Sequence, residues 1–170
     1  MPRPSPQVIP LLAFSVLLLA DLLVKAWASQ HLPAAEPRTL IPGLLSLNYT
    51  LNTGMAWGLL PNLTLPLALL RLLVGLGVVA ALFRGRIPGP RALALGLIGA
   101  GALSNAVDGL TRGAVVDYLT SPLLDRVHLL LSTQSFPIFN GADMLVLAGV
   151  VLLVLTPAPR TALRPQGDHL

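Results

Sequence analysis

Four long apolar stretches constrain most strongly what this chain can fold into. A helix needs ~20 consecutive, mainly apolar residues to cross a hydrocarbon core of roughly 30 Å. Charged residues make up only 11% of the chain, against about 25% in soluble domains. The sequence therefore predicts an all-α membrane protein, a single integral membrane domain over residues 1–170, with four transmembrane helices at 8–28, 64–83, 91–110 and 139–156.

The arginines between and beyond these stretches predict the topology. Arg3 precedes the first stretch and Arg160 follows the fourth. Three more surround the short connection between the second and third stretches: Arg84, Arg86 and Arg91. Because short loops rich in Lys and Arg stay in the cytoplasm, we expect both termini there. This topology explains the net charge of +4, and the sequence has no basic stripe for a nucleic acid.

The two outer segments predict a small extracytoplasmic β-sheet and a helix at the membrane surface. Apolar and polar residues alternate from Leu45 to Asn52, which is the period of a strand with one apolar face. Val115–Tyr118 predicts a second short strand. Leucines mixed with charged residues over Pro122–Leu131 predict an amphipathic interfacial helix.

Small residues recur at every fourth position of the third stretch, at Ala92, Gly96, Ala100 and Ser104, with Asp108 next in the series. Such a ladder lets a neighbouring helix approach closely. We expect it to pack within one bundle, which predicts a monomer. It also brings Asp108 into protein rather than lipid.

Polar residues gather at the helix ends that would face the outer side. Asp21 and Lys25 have the spacing of a helical ion pair, and the others are Asn52, Asn105, Asp108, Asn140 and Asp143. Ionisable groups beside apolar segments are costly and mark functional sites. The chain has no Cys and its three His show no ligand spacing, so we expect no metal. Two carboxyl groups that share a proton can activate water, as in aspartic proteases.

Four short motifs follow one another along the chain. The first is Asp-x-x-x-Lys with an aromatic soon after (Asp21, Lys25, Trp27), and the second is Asn-x-Gly-x-Ala-aromatic (Asn52, Gly54, Ala56, Trp57). The third is Asn-x-x-Asp followed by Gly and Val-Val-Asp-aromatic (Asn105, Asp108, Gly113, Val115, Val116, Asp117, Tyr118). The fourth is Phe-Asn-x-Ala-Asp (Phe139, Asn140, Ala142, Asp143). With these motifs, nearly the whole chain resembles the lipoprotein signal peptidases, the signal peptidase II family of bacteria.

The resemblance implies an aspartic endopeptidase of the bacterial inner membrane with its active site at the outer face. It implies Asp117 and Asp143 as the catalytic pair, Asp21 and Lys25 at the periphery of the site, and supporting or substrate-binding roles for Asn52, Gly54, Asn105, Asp108 and Asn140. Its substrate would be a prolipoprotein, cut before a cysteine that carries diacylglycerol. Such enzymes need no cofactor, and globomycin inhibits them.

Two features depart from the family pattern. Gly109 stands where the family usually has an arginine, so a guanidinium would have to come from Arg112, Arg71 or Arg126. The segment 118–138 between the two catalytic aspartates is longer than the family pattern leads us to expect.

Three other functions fit part of the pattern. A catalytically degenerate, lipoprotein-binding membrane protein would fit the glycine at position 109. A small four-helix transporter or channel subunit could use Asp21, Lys25 and Asp143 as an ion relay. A different intramembrane aspartyl protease would place both acids on adjacent helices, whereas Asp117 lies beyond the end of the predicted third helix.

Overall fold

The computed structural model describes residues 7–34, 36–55, 57 and 59–156. Helices and strands alternate in groups along the chain: α1 Val8–His31, β1 Arg38–Ile41, β2 Leu45–Asn52, α2 Thr64–Phe83, α3 Gly89–Arg112, β3 Val115–Thr120, α4 Pro122–Leu129 and α5 Gly141–Leu155. The predictions made from Arg3, Ala56 and Arg160 lie outside the described residues.

The apolar stretches form the helices that were expected of them. Three helices, α1, α2 and α3, are long and apolar enough to cross a membrane by length and composition. The bounds predicted for α2 are confirmed, while α1 continues to His31 and α3 covers Gly89–Arg112. The fourth apolar helix, α5, has only 15 residues, which gives it a length of about 22 Å.

The predicted start of the fourth helix is wrong. Phe139 is not helical but forms an isolated β-bridge with Leu119. Asn140 has an extended backbone and caps the helix, which begins at Gly141. The polar residues at this point therefore take part in a turn between sheet and helix, and this turn becomes important for the site.

Helix α3 lies in the middle of the helical layer and packs against α1, α2 and α5. The predicted ladder of small residues is confirmed as a packed face, because Ala92, Gly96, Ala100 and Ser104 are all buried. On another side of α3, a Cβ atom at Gly101 would overlap the carbonyl oxygen of Ala142 in α5. Small side chains therefore let three helices approach α3 at once.

A three-stranded antiparallel sheet in the order β1–β2–β3 lies at one end of the bundle. The predicted strand Leu45–Asn52 is confirmed as β2, and β3 extends to Thr120 rather than ending at Tyr118. The short, exposed β1 was not predicted. The sheet packs on the end of α1 through buried residues of both: Ala28, Leu32, Val116, Tyr118 and Leu119.

Helix α4 follows the sheet and ends at Leu129, two residues before the predicted Leu131. The hydroxyl oxygen of Ser121 accepts a hydrogen bond from the backbone N–H of Leu124 at 3.3 Å, as an N-cap residue does. No residue of α4 is buried, and Leu130 and Leu131 just beyond it are 84% and 85% exposed. This exposed apolar surface fits the predicted position of α4 at a membrane interface.

Candidate active site

Two carboxyl groups from different elements line one cavity of ≈ 330 Å³ at the end of the bundle that carries the sheet. Asp117 lies in β3 and is only 2% exposed. Asp143 lies in the first turn of α5, and its side chain is exposed. The predicted catalytic pair therefore shares one chamber, with one carboxyl group buried in the wall and the other open to the interior.

The cap of α5 connects these two groups. The side-chain oxygen of Asn140 accepts a hydrogen bond from the backbone N–H of Asp143 at 2.9 Å, and the backbone N–H of Asn140 donates to Asp143 Oδ2 at 3.2 Å. Such a reciprocal capping box is a local property of Asn followed three residues later by an acid. The remaining amide nitrogen, Nδ2 of Asn140, donates to Asp117 Oδ1 at 2.6 Å. Helix initiation and alignment of the two acids thus depend on one residue.

Two further asparagines complete the set of donors. Asn52 Nδ2 donates to Asp117 Oδ2 at 3.0 Å, and its own Oδ1 accepts the N–H of Gly54 at 2.9 Å. Asn105 Nδ2 donates to Asp143 Oδ1 at 2.9 Å. Each carboxyl group of the pair therefore receives at least one side-chain amide donor that belongs to a different element.

Lys25 lies behind the pair, enclosed by protein. It is 1% exposed, and its Nζ lies 3.0 Å from Asp108 Oδ2 and 3.4 Å from Asp21 Oδ2. The predicted ion pair between Asp21 and Lys25 is thus confirmed. The same Nζ donates to Asn105 Oδ1 at 2.6 Å. The amide nitrogen of Asn105 in turn donates to Asp143, so Lys25 is connected to the pair by two hydrogen bonds through Asn105.

Two hydroxyl groups that donate hydrogen bonds to Asp21 were not predicted as part of the site. The hydroxyl of Tyr118 donates to Asp21 Oδ1 at 2.8 Å, and that of Ser104 donates to Oδ2 at 2.5 Å. Burial, followed by the charge of Asp21, raises the pKa of Tyr118, so this phenol stays protonated and remains a donor. The sequence showed Ser104 only as a small packing residue, and its hydroxyl gave no signal of its own.

The three arginines considered as substitutes at Gly109 occupy different environments. Arg112 Nε lies 3.2 Å from Asp108 Oδ1, so this arginine forms an ion pair with Asp108. Asp108 also accepts the backbone N–H of Val116 at 3.1 Å, which fixes the start of β3. Arg71 of α2 lines the cavity itself, and Arg126 of α4 lines neither of the two cavities described here.

Gly109 is a point of contact between α3 and α2. A Cβ atom at this position would lie 2.7 Å from Ala68 Cβ. We expect Gly109→Ala to lower the free energy of unfolding by about 1–3 kcal/mol, the usual cost of overpacking. Melting in detergent would test this, with Gly89→Ala as control because a Cβ at Gly89 meets nothing within 4 Å. Equal melting temperatures for the two variants would contradict the close contact.

The environment of Asp117 raises its pKa from 3.8 to about 7. Burial is the largest cause, followed by the negative charge of Asp143. The amide donors of Asn52 and Asn140 and the charge of Lys25 oppose this rise. A carboxyl group whose proton is exchangeable near neutral pH, next to a second carboxyl group, is suited to acid and base catalysis.

A second, more polar cleft of ≈ 390 Å³ meets the first cavity at Asn52 and Asp117. Trp57 borders both chambers, and its Nε1 donates to His128 Nε2 of α4 at 3.0 Å. The edge of Phe136 packs on both rings. Asp117 therefore lies where an apolar chamber meets a polar cleft, and Asp143 lines the apolar chamber alone.

No group of three or more His, Cys, Asp or Glu side chains in the described part of the chain has metal-binding geometry. The chemical groups that the site offers are two carboxyl groups and the side-chain amides that donate to them.

The sequence model of the family "Signal peptidase (SPase) II" matches residues 13–158. The chain belongs to the signal peptidase II family.

Individual relatives agree with this assignment. The chain is 42% identical over 158 residues to a lipoprotein signal peptidase of Deinococcus radiodurans, covering 91% of this chain and 81% of the relative. It is 35% identical over 148 residues to a lipoprotein signal peptidase of Streptococcus pneumoniae, covering 85% and 90%. Signal peptidase II enzymes are proteases, so the family does not favour the transporter or binding-protein alternatives.

Two solved structures of bacterial membrane enzymes share the fold. One superposes with a TM-score of 0.70 at 23% identity, covering 86% of this chain and 85% of the other. The second has a TM-score of 0.69 at 24% identity, covering 86% and 90%. The signal peptidase II chain described here is thus a multi-pass membrane protein with a small sheet at one end of its bundle.

Proposed function

We propose that this chain removes the signal peptide from diacylglyceryl-modified prolipoproteins by cutting before the lipidated cysteine, with Asp117 and Asp143 as its catalytic pair. The observation that carries the proposal is the cap of α5, because Asn140 binds Asp143 with its backbone N–H and Asp117 with its side chain. The names of the relatives supply the substrate class. The whole chain would act as one membrane peptidase domain.

The chemistry follows from one proton shared by two carboxyl groups. The ionised carboxyl group takes a proton from a water molecule, and the protonated one donates to the carbonyl oxygen of the scissile bond. Collapse of the tetrahedral intermediate breaks the C–N bond, and the amine leaves with a proton from the pair. Because the two acids titrate as a unit, neither has a fixed role as base.

The two chambers suggest how the substrate lies. The cavity is lined mainly by apolar side chains, among them Leu124, Phe136, Ile138, Met144 and Leu147, and would take the lipid and the signal helix from the bilayer. The cleft offers Thr50, Thr53, Gln134 and Ser135, and would take the mature chain. The scissile bond would then lie at Asp117, where the chambers meet.

We further propose that the site faces the outer side of the bacterial cytoplasmic membrane and that both termini lie in the cytoplasm. The support is the arginine-rich connection between α2 and α3, at the end of the bundle away from the sheet. The buried small-residue face of α3 supports a monomer. Globomycin would compete with the substrate at the same cavity.

The proposal is tested with purified protein in detergent and a diacylglyceryl-modified prolipoprotein. Release of the signal peptide is followed by gel electrophoresis and mass spectrometry, with the unlipidated precursor as control. We expect cleavage of the modified substrate alone, one cut before the cysteine, and inhibition by globomycin. A folded protein that binds the substrate without cutting it would support the binding-protein alternative instead.

Removal of the Asn52 amide should shift the pH profile. Activity requires one proton on the carboxyl pair, so it should fall as pH rises past about 7, where Asp117 loses its proton. Asn52 donates to Asp117 and lowers its pKa. We therefore expect Asn52→Ala to move the alkaline limb of kcat/KM against pH to higher pH, because this profile reports the pKa values of the free enzyme. Asn48→Ala in the same strand is the control, and a shift to lower pH in Asn52→Ala would contradict the assignment.

A further inference from the structure

We propose that Arg71 of α2 binds a carbonyl oxygen of the substrate inside the cavity, a role that rests on the proposed function. Arg71 lines this cavity together with Asn105, Asp117 and Asp143. It is the single charged residue between Thr64 and Phe83. A guanidinium facing lipid is costly, so its place in the cavity wall explains how this apolar helix tolerates it.

The guanidinium has donors that the protein leaves unused. Within the described residues, the Nη1 atom of Arg71 is buried and has no hydrogen-bond partner. No carboxylate in that part of the chain lies within ion-pair distance of Arg71, since the ion pairs there involve Lys25 and Arg112. A buried donor without an acceptor is unfavourable. An acceptor on a bound molecule would remove that cost.

The packing of α2 against α3 brings Arg71 to this position. Ala68 lies so close to Gly109 that no side chain fits between them. Arg71 is three residues after Ala68 and therefore on the same side of α2. The close approach at Gly109 thus directs Arg71 toward the interior, while Arg112 stays with Asp108 outside the cavity lining.

The chemistry of the cavity restricts what Arg71 can bind. A guanidinium offers only donors, and the surrounding wall is mainly apolar. The matching group is an oxygen acceptor on a largely apolar ligand. A lipid-modified precursor carries two such groups, the backbone carbonyl oxygens of the signal peptide and the ester carbonyl oxygens of the diacylglyceryl group. Both present the same C=O acceptor.

Steady-state kinetics of Arg71→Gln and Arg71→Lys test the role. We expect KM for the lipid-modified substrate to rise about 10- to 100-fold in Arg71→Gln, the size expected for a charged hydrogen bond. The turnover number kcat, compared at the pH optimum of each variant, should stay within about threefold because the two carboxyl groups are intact, and Arg71→Lys should restore part of KM. Arg84→Gln, at the other end of α2 and outside both cavities, should match the wild type.

The outcomes separate this role from the proposed function. If the wild type cleaves the substrate and Arg71→Gln has the same KM, the inference about Arg71 is overturned but the proposed function is not. A lower melting temperature and a lower kcat at unchanged KM would also overturn it, since that pattern indicates a structural role. A wild type that cleaves nothing would overturn the function itself.

A substrate with ether-linked chains identifies the acceptor, because it lacks the ester carbonyl oxygens. If Arg71 binds the ester, the ether substrate should raise KM in the wild type and have no further effect in Arg71→Gln. If Arg71 binds the peptide, the ether substrate should leave the Arg71→Gln effect unchanged. An Arg71→Gln variant with the wild-type KM for both the ester and the ether substrate would contradict both alternatives.

Discussion

Replacing either acid, as Asp117→Asn or Asp143→Asn, should lower kcat by at least about 10³-fold. General acid–base catalysis by one group contributes roughly 10²- to 10⁴-fold, and loss of either member also removes the shared proton. An asparagine keeps the shape of the side chain, so the cavity should stay closed. Its NH2 group replaces one accepting oxygen, so each variant loses one of the two hydrogen bonds that the carboxyl group accepts. KM should change far less than kcat, because substrate contacts come mainly from the chamber walls.

The fold should survive these changes. The pKa of Asp117 is raised in the folded protein from 3.8 to about 7, so the unfolded chain releases this proton at lower pH. The stability contribution of the protonated group is therefore complete below pH 4 and lost as pH rises through about 7. A neutral amide removes this loss, and Asp117→Asn should melt no lower than the wild type at pH 8.

The measurement is signal-peptide release per mole of folded protein, with thermal melting of each variant. Glu36→Gln is the matched control, because Glu36 is exposed and lines neither cavity. It should cleave at the wild-type rate. If Asp117→Asn or Asp143→Asn keeps a turnover number within tenfold of the wild type, the acid replaced in that variant is not catalytic.

Lys25→Met should be the most destabilising single change in the site. It leaves the carboxylates of Asp21 and Asp108 buried without the ammonium group that lies 3.4 and 3.0 Å from them. Removal of one partner of a buried ion pair costs about 3–5 kcal/mol. The variant should also lose activity, because Asn105 Oδ1 loses the shorter of its two hydrogen bonds and the amide is held less firmly toward Asp143.

A second substitution distinguishes charge from packing. Asp21→Asn in the Lys25→Met background removes one uncompensated charge, so it should raise the melting temperature relative to Lys25→Met alone. Lys25 is the single lysine of the chain, so the control replaces an exposed arginine instead. Arg38→Met, in the exposed strand β1, serves as the control and should melt like the wild type. A Lys25→Met variant as stable as this control would contradict the buried network.

The apolar helices and the middle strand could be predicted because their signals are local. A run of twenty mainly apolar residues predicts α2 by itself, and alternation predicts β2 from Leu45 to Asn52. The start of α5 could not be predicted from hydropathy. Phe139 is apolar like the helix that follows, but its backbone hydrogen bonds go to Leu119 of β3, a contact that depends on the tertiary fold.

The sequence could name candidate residues for the site but not the contacts among them. Spacing could bring Asp21, Lys25 and Asp108 to one end of the bundle. It could not show that the ammonium group of Lys25 contacts Asp21, Asp108 and Asn105 together. The separate positions of Arg71 and Arg112 depend on how closely α2 approaches α3. That distance is set by the missing side chain of Gly109, which sequence comparison presents only as a lost arginine.

The charged groups around the carboxyl pair also set a charge balance for the site. Four carboxyl groups, of Asp21, Asp108, Asp117 and Asp143, face three cations, of Lys25, Arg71 and Arg112. The site is electrically neutral only when the four acids together hold one proton. A surplus charge of either sign is disfavoured where the dielectric constant is low, so the fold itself favours the singly protonated pair. Electroneutrality would then select the reactive form before any substrate arrives.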